Sequence, residues 1–219
     1  MDEKDFFVTT DIHGCYKSFM ALMKAMGVTD QDTLLNLGDA VDRGPRIREV
    51  LDYLMNRPNT INVLGNHDYY AIDYGLNGLT HNNMFMYKQG LQETVAQLGS
   101  DFEKYAKWMQ TWEKYVTMPE PAPYVFCHAS YPWRKSDKGV FTDLHLWERF
   151  YYDDKDSYVK YDGPVIVHGH TPTKNPYEFI GKKLIGINLD GGCCYKGPNA
   201  VLRGMRLSDG KIFEVPYSD

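Results

Sequence analysis

Six short apolar runs in this 219-residue chain each stop at a polar cluster, and that repeated boundary limits the possible folds more than any other feature. FFVTT runs into Asp11-Ile12-His13-Gly14, LLNL into Gly38-Asp39 and on to Asp42-Arg43-Gly44, and INVL into Gly65-Asn66-His67-Asp68. YVFC leads to His128-Ala129-Ser130, VIVH to Gly169-His170-Thr171-Pro172, and INL to Asp190-Gly191-Gly192. Short apolar runs bounded by turn-forming residues read as buried strands, and helical periods fall between them. That alternation is the signature of an α/β architecture. Ligands of open α/β sheets bind beyond the carboxyl ends of the strands, so the six clusters are expected to converge at one edge.

The pattern predicts strands over Phe6–Thr10, Thr33–Leu37, Thr60–Leu64, Tyr124–Cys127, Pro164–His168, Lys183–Leu189, Ala200–Leu207 and Lys211–Val215. The last two form a closing hairpin with Asp209-Gly210 at the turn. A first helix is expected from Tyr16 to Met26, with Phe19, Leu22, Met23 and Met26 inward and Gly27 as its stop. A second starts at Pro45 and turns Ile47, Val50, Leu51 and Leu54 inward. Residues 69–118 have a helical period and many aromatic residues, which suit packing against the sheet core. Within them Gly99 separates two stripes, and Ser100 with Glu103 reads as a capping box. No repeat or linker divides the chain, so residues 1–219 read as a single catalytic domain.

Charge and apolar patterning exclude several function classes. The net charge of −5, without a basic block, gives no footprint for nucleic acid. The apolar runs are too short to span a bilayer, and MDEKDFF lacks a signal core, so a cytoplasmic protein is expected. The four cysteines contain no C-x-x-C pair, which argues for reduced thiols over a disulfide framework or a cysteine zinc site.

Carboxylates, an amide and imidazoles together suit manganese, iron or zinc, of which manganese is the first expectation. A pair of such ions roughly 3.5–4 Å apart needs a bridging carboxylate, and Asp39, in the middle cluster, is the natural one. Two divalent ions supply positive charge and lower the pKa of a bridging water toward neutrality, which suits attack by that water on a bound substrate.

The motifs Asp11-Ile12-His13-Gly14, Gly38 to Gly44 (GD-x-VDRG) and Gly65 to Asp68 (GNHD) resemble those of the phosphoprotein phosphatases among the calcineurin-like metallophosphoesterases. His128 within C-H-A-x-Y-P and His170 within G-H-T-P follow in the order of the short bacterial and phage branch, typified by the phage lambda protein phosphatase. The resemblance implies a β-sandwich of mixed sheets flanked by helices. It implies that Asp11, His13 and Asp39 hold one metal, and that Asp39, Asn66, His128 and His170 hold the other. Arg43 and Arg149 would bind phosphate oxygens alongside Asn66, and His67 would protonate the leaving oxygen, oriented and kept charged by Asp42. Two departures from the pattern are Thr10 and Ser130, both where glycine is usual.

Outside the motifs, His168 should point away from His170 as a core or supporting histidine, and His81 and His145 read as solvated. Asp68 reads equally as support for the site or as a helix N-terminal charge, and Asp190 as support or as a turn residue. The resemblance implies a serine/threonine phosphatase acting on phosphoproteins or phosphopeptides, with phosphotyrosine as a further substrate and no dedicated regulatory subunit. Symmetrical hydrolysis of diadenosine tetraphosphate is the enzymatic alternative, and a non-catalytic module that recognises phosphoproteins is the third reading.

Overall fold

A computed structural model describes residues 4–118, 124–131, 146–149 and 161–219. Two five-stranded sheets face each other. The first contains β1 (Phe6–Thr9), β2 (Thr33–Asn36), β3 (Thr60–Asn62), β9 (Val201–Arg206) and β10 (Ile212–Pro216) in the order β10-β9-β1-β2-β3. The second contains β4 (Val116–Met118), β5 (Tyr124–Phe126), β6 (Val165–His168), β7 (Tyr177–Ile180) and β8 (Lys183–Asn188) in the order β4-β5-β6-β8-β7. Each sheet has a parallel trio, β1-β2-β3 in one and β5-β6-β8 in the other, edged by antiparallel strands. The helices are α1 (Tyr16–Met26), α2 (Ile47–Asn56), α3 (Asn66–Asn77), the single turn α4 (Met84–Met86), α5 (Gln92–Leu98) and α6 (Phe102–Met109).

The continuous apolar runs are explained by burial on both faces of a strand. On β1, Phe7 packs into the helix-side core while its neighbour Val8 enters the layer between the sheets; Leu34 and Leu35 divide the same way on β2. On β6, Val167 faces the other sheet and Ile166 the outer cluster with Cys127 and Tyr161. Each such side chain contributes about 1.5–3 kcal/mol on burial. Among the described residues no helix is long and apolar enough to cross a membrane.

Helix α1 has the predicted span and buries the four predicted side chains. Its first turn is capped from the other end of the chain, since Asp219 accepts hydrogen bonds from Lys17 N at 2.7 Å and Ser18 N at 3.0 Å. Helix α2 begins at Ile47, two residues later than expected, because Arg46 N donates to Gly14 O and holds the entry segment against the first motif. The Ser100–Glu103 capping box does not form; Glu103 instead pairs with Lys107 at 2.6 Å. Strands β4 and β7 were not predicted. On β7 the usual pattern is inverted, with Glu178 buried between exposed Tyr177 and Phe179, so apolarity gives no strand signal there. Strands β1, β2, β3, β5 and β8 lose one or two of the predicted residues at their carboxyl ends, where the chain leaves the ladder to deliver the polar clusters, whereas β6 ends at His168 as predicted.

Candidate metal centre

The six clusters meet where the carboxyl ends of the two parallel trios adjoin, so the site belongs to both sheets and not to one edge. Asp11, Asp39, Asn66, His128, His170 and Asp190 each lie two to four residues past their strand. The sheets are stitched together there: His170 N donates to Asp11 Oδ2 at 3.0 Å, and His128 Nδ1 lies 2.9 Å from Leu37 O. Thr10 donates its hydroxyl to the same Asp11 oxygen at 2.7 Å, so the departure from glycine supplies a carboxylate contact.

Backbone strain is concentrated at the site. Of eight non-glycine residues with positive φ among those described, six are Asp11, His13, Asp39, Asp42, Arg43 and His170, with φ between 45° and 71°. Such conformations cost of order 1–3 kcal/mol each and persist where the surroundings hold them. Two glycines make the packing possible. A Cβ on Gly65 would lie 2.2 Å from Asp39 Oδ1, and one on Gly169 would lie 2.0 Å from Asp11 Oδ2.

Asp39 stands between two histidines. Its Oδ2 is 3.6 Å from His13 Nε2 and its Oδ1 is 3.5 Å from His128 Nε2. His128 Nε2 also lies 2.9 Å from Asn66 Oδ1, and His170 Nδ1 is 3.1 Å from that oxygen. The Nδ1–H groups of His13 and His128 donate to Val41 O and Leu37 O, which leaves each Nε2 lone pair facing inward. Neighbouring ligands of an ion with bonds near 2.1 Å are separated by roughly 3.0–3.4 Å, and these donors, 2.9–3.6 Å apart, bracket that spacing. Two groups of ligand atoms gather within 4.8 Å, His13 with Asp39 and His67, and Asp11 with Asp39 and His128. Asp39 is common to both.

The electrostatics fit cation binding. Burial, then repulsion from Asp11 and Asp68, raises Asp39 well above the carboxylate range. Burial and Asp11 raise Asp190 likewise. Burial holds His13, His67 and His128 below the usual imidazole range and takes His170 down to about 2, so these rings keep their lone pairs. Repelling carboxyls beside neutral imidazoles form a donor set for divalent ions.

Arg43 spans the floor, with Nη1 donating to His13 Nε2 at 2.9 Å and Nη2 to His67 Nε2 at 2.8 Å. His67 Nδ1 meets Asp42 Oδ2 at 2.6 Å, and Thr94 donates its hydroxyl to Asp42 Oδ1 at 2.5 Å. Burial raises Asp42 to about 8. Burial and the charge of Arg43 lower His67, so the ring accepts from Arg43 and is not held charged as predicted. Arg149 lines the same cleft of about 280 Å³, together with Phe85, Trp147, Cys194 and Tyr195.

The remaining expectations divide by position. His168 is buried and turned to Glu178 at 2.9 Å, away from the floor. His81 is exposed, and His145 lies outside the described residues. Asp68 fills both suggested roles: it sits in the first turn of α3 and accepts from Asp39 N, Ala40 N and Gly65 N, locking the second motif to the third. Asp190 also fills both, since it lines the cleft and closes a turn through Gly192 N. All four cysteines are free and buried, Cys194 beside Arg43 at 3.6 Å. Ser130 is buried. Sequence reasoning missed Thr94, because it lies in a helical segment far from any strand end. Tyr195 escaped too, although it follows the Asp190-Gly191-Gly192 cluster closely.

The calcineurin-like phosphoesterase pattern matches residues 5–211. The chain belongs to that family. It is therefore a metallophosphoesterase, a hydrolase of a family that works with two metal ions. The phosphoesterase is similar to a bis(5'-nucleosyl)-tetraphosphatase, asymmetrical, of Bacillus cereus, with 30% identity over 247 residues covering 95% of this chain and 92% of the relative. It is also 30% identical over 153 residues to serine/threonine-protein phosphatase 2 of Salmonella typhimurium, covering 67% of this chain and 68% of the relative. A serine/threonine phosphatase structure from Saccharomyces cerevisiae superposes with a TM-score of 0.67 at 15% identity, over 99% of this chain and 81% of that one, a likeness of fold.

The raised carboxyls give a pH prediction for the metal-free phosphoesterase. Asp42 at about 8 and Asp68 at about 7 both exceed their ordinary value of 3.8, so the folded state holds protons that the unfolded state has released. Stability is then lost as pH rises through 7 to 8. The depressed histidines are neutral in both states only above about 7.5; between about 6.5 and that pH their unfolded forms still hold protons, which offsets part of the loss. Melting in EDTA is expected to fall by more than about 3 °C between pH 6.5 and 8.5, the effect of about 1 kcal/mol in a domain of this size. A flat or rising melting temperature over that window contradicts the assignment.

Proposed function

We propose that the phosphoesterase hydrolyses dinucleoside polyphosphates, using two manganese ions. Asp11, His13 and Asp39 would hold one ion, and Asp39, Asn66, His128 and His170 the other. When bound, the ions supply Lewis acidity and lower the pKa of an attacking water. Arg43 and Arg149 bind the phosphate oxygens, for which the guanidinium fork is well shaped. As Arg43 turns from His67 to the anion, it frees Nε2, and the nearby negative charge favours protonation of the ring. His67 then gives that proton to the leaving oxygen while Asp42, held by Thr94, keeps the ring oriented.

One observation carries the choice of substrate. The polar floor is rimmed by Phe85, Tyr195 and Trp147, of which the first two expose 63% and 62% of their surface. Large exposed aromatic faces beside an anion-binding floor suit nucleobases, whose stacking is worth about 1–3 kcal/mol each. The Bacillus cereus relative, aligned over nearly the whole chain, supports the same reading.

Phosphoserine and phosphothreonine proteins form the second reading, favoured by the Salmonella relative and by the complete motifs. A panel under manganese separates the two. Diadenosine tetraphosphate is expected to give ATP and AMP, while two molecules of ADP would indicate symmetrical cleavage. Phosphate release from phosphopeptides with inert diadenosine tetraphosphate transfers the assignment to proteins. No turnover of either by folded, metal-loaded protein removes both.

A further inference from the structure

A second cavity of about 330 Å³ adjoins the metal centre and shares Pro172 and Tyr195 with the catalytic cleft. It is lined further by Lys174, Asn199 and the Gly191-Gly192 turn. The volume lies at the small end of ligand pockets, about 300–1,000 Å³. Gly192 lies beside the two shared residues: a Cβ there would lie 3.3 Å from the Tyr195 ring and 3.4 Å from Pro172, so a side chain would crowd both.

The pocket is built on a buried support. Arg203, 3% exposed, donates to Thr173 O at 2.7 Å, Lys174 O at 3.2 Å and Asp190 O at 3.3 Å, and pairs with Glu214 at 2.5 Å. Thr173 N also donates to Asp190 O at 3.0 Å. One guanidinium therefore fixes the wall carrying Lys174 against Asp190, a residue of the catalytic cleft. Preorganised walls reduce the ordering cost of binding. The Lys174 ammonium is exposed and has no ion-pair partner among the described residues.

We infer that this second cavity binds the distal nucleoside of a dinucleoside polyphosphate, a placement that rests on the nucleotide reading above. The reacting phosphate lies on the metal floor, the chain passes between Pro172 and Tyr195, and Lys174 meets a phosphate remote from the metals. Tyr195 and Pro172 present flat apolar faces to the base and sugar.

The test uses manganese-loaded phosphoesterase turning over p-nitrophenyl phosphate, with diadenosine tetraphosphate or inorganic phosphate as competing inhibitor. Inhibition reports binding even where the dinucleotide is not cleaved. In Lys174→Glu, and separately in Asn199→Trp, the ratio of the dinucleotide to the phosphate inhibition constant is expected to rise tenfold or more. A ratio within twofold of the parent in both variants overturns the inference. So does a tenfold loss confined to a phosphoserine peptide, which would give the cavity to protein substrates. An uncleaved dinucleotide whose inhibition still weakens in both variants upholds the cavity and removes the substrate assignment instead.

Discussion

Asp39→Asn is expected to lower kcat/KM for p-nitrophenyl phosphate by about 10³-fold, roughly 4 kcal/mol of transition-state stabilisation. The carboxylate lies between His13 Nε2 at 3.6 Å and His128 Nε2 at 3.5 Å, and its Oδ1 also accepts from His67 N at 2.9 Å. An amide has nearly the same shape and can keep the His67 bond. It lacks the charge, however, and turns N–H donors toward one of the two histidines. Bound manganese, measured by elemental analysis after desalting, should fall below two ions per chain. The metal-free variant should meanwhile melt higher than the parent, because a buried carboxyl repelled by Asp11 and Asp68 has been removed. Site residues commonly cost stability in this way. Activity within tenfold of the parent, with two ions retained, would dispose of Asp39 as the bridge.

His67→Gln tests proton donation through its dependence on the leaving group. General acid catalysis contributes typically 10²–10⁴-fold where a proton is needed. Phenyl phosphate releases a basic oxygen, and its kcat is expected to fall about 10³-fold. p-Nitrophenyl phosphate releases an oxygen that needs no proton near neutrality, so its kcat should fall about tenfold or less. Asp42→Asn should show the same selectivity more weakly, because Asp42 acts through the 2.6 Å contact to His67 and does not touch substrate. Equal losses on both esters would show that His67 positions or binds and does not donate.

Much of this was legible in the chain itself. Each strand that carries a site residue was predicted, because burial on both faces produces the uninterrupted runs around Val8, Leu35 and Val167. The close approaches of Gly65 to Asp39 and of Gly169 to Asp11 became visible only in the fold. The two edges of the second sheet, β4 and β7, were not legible: on β7 Glu178 points inward and Tyr177 and Phe179 outward, because the buried glutamate meets His168. The charge on His67 was misjudged for a related reason. Sequence adjacency places Asp42 next to Arg43, but folding also puts the Arg43 guanidinium on His67.

By itself, then, the sequence determined which residues the fold gathers at the candidate site and that their clusters stand just past a strand. Hydrophobic period and turn-forming residues are local properties, and the six clusters are written in them. Only the tertiary structure decided that two sheets, not one, bring those clusters together, that Asp39 faces histidines from both, and that Thr94 supports Asp42 from a distant helix. It also placed a second cavity beside the first through Pro172 and Tyr195. Those relations depend on burial and proximity between segments up to 160 residues apart, as in the bond from His170 to Asp11 at |i−j| of 159. No local pattern encodes such distances, because they are set by how the two sheets pack.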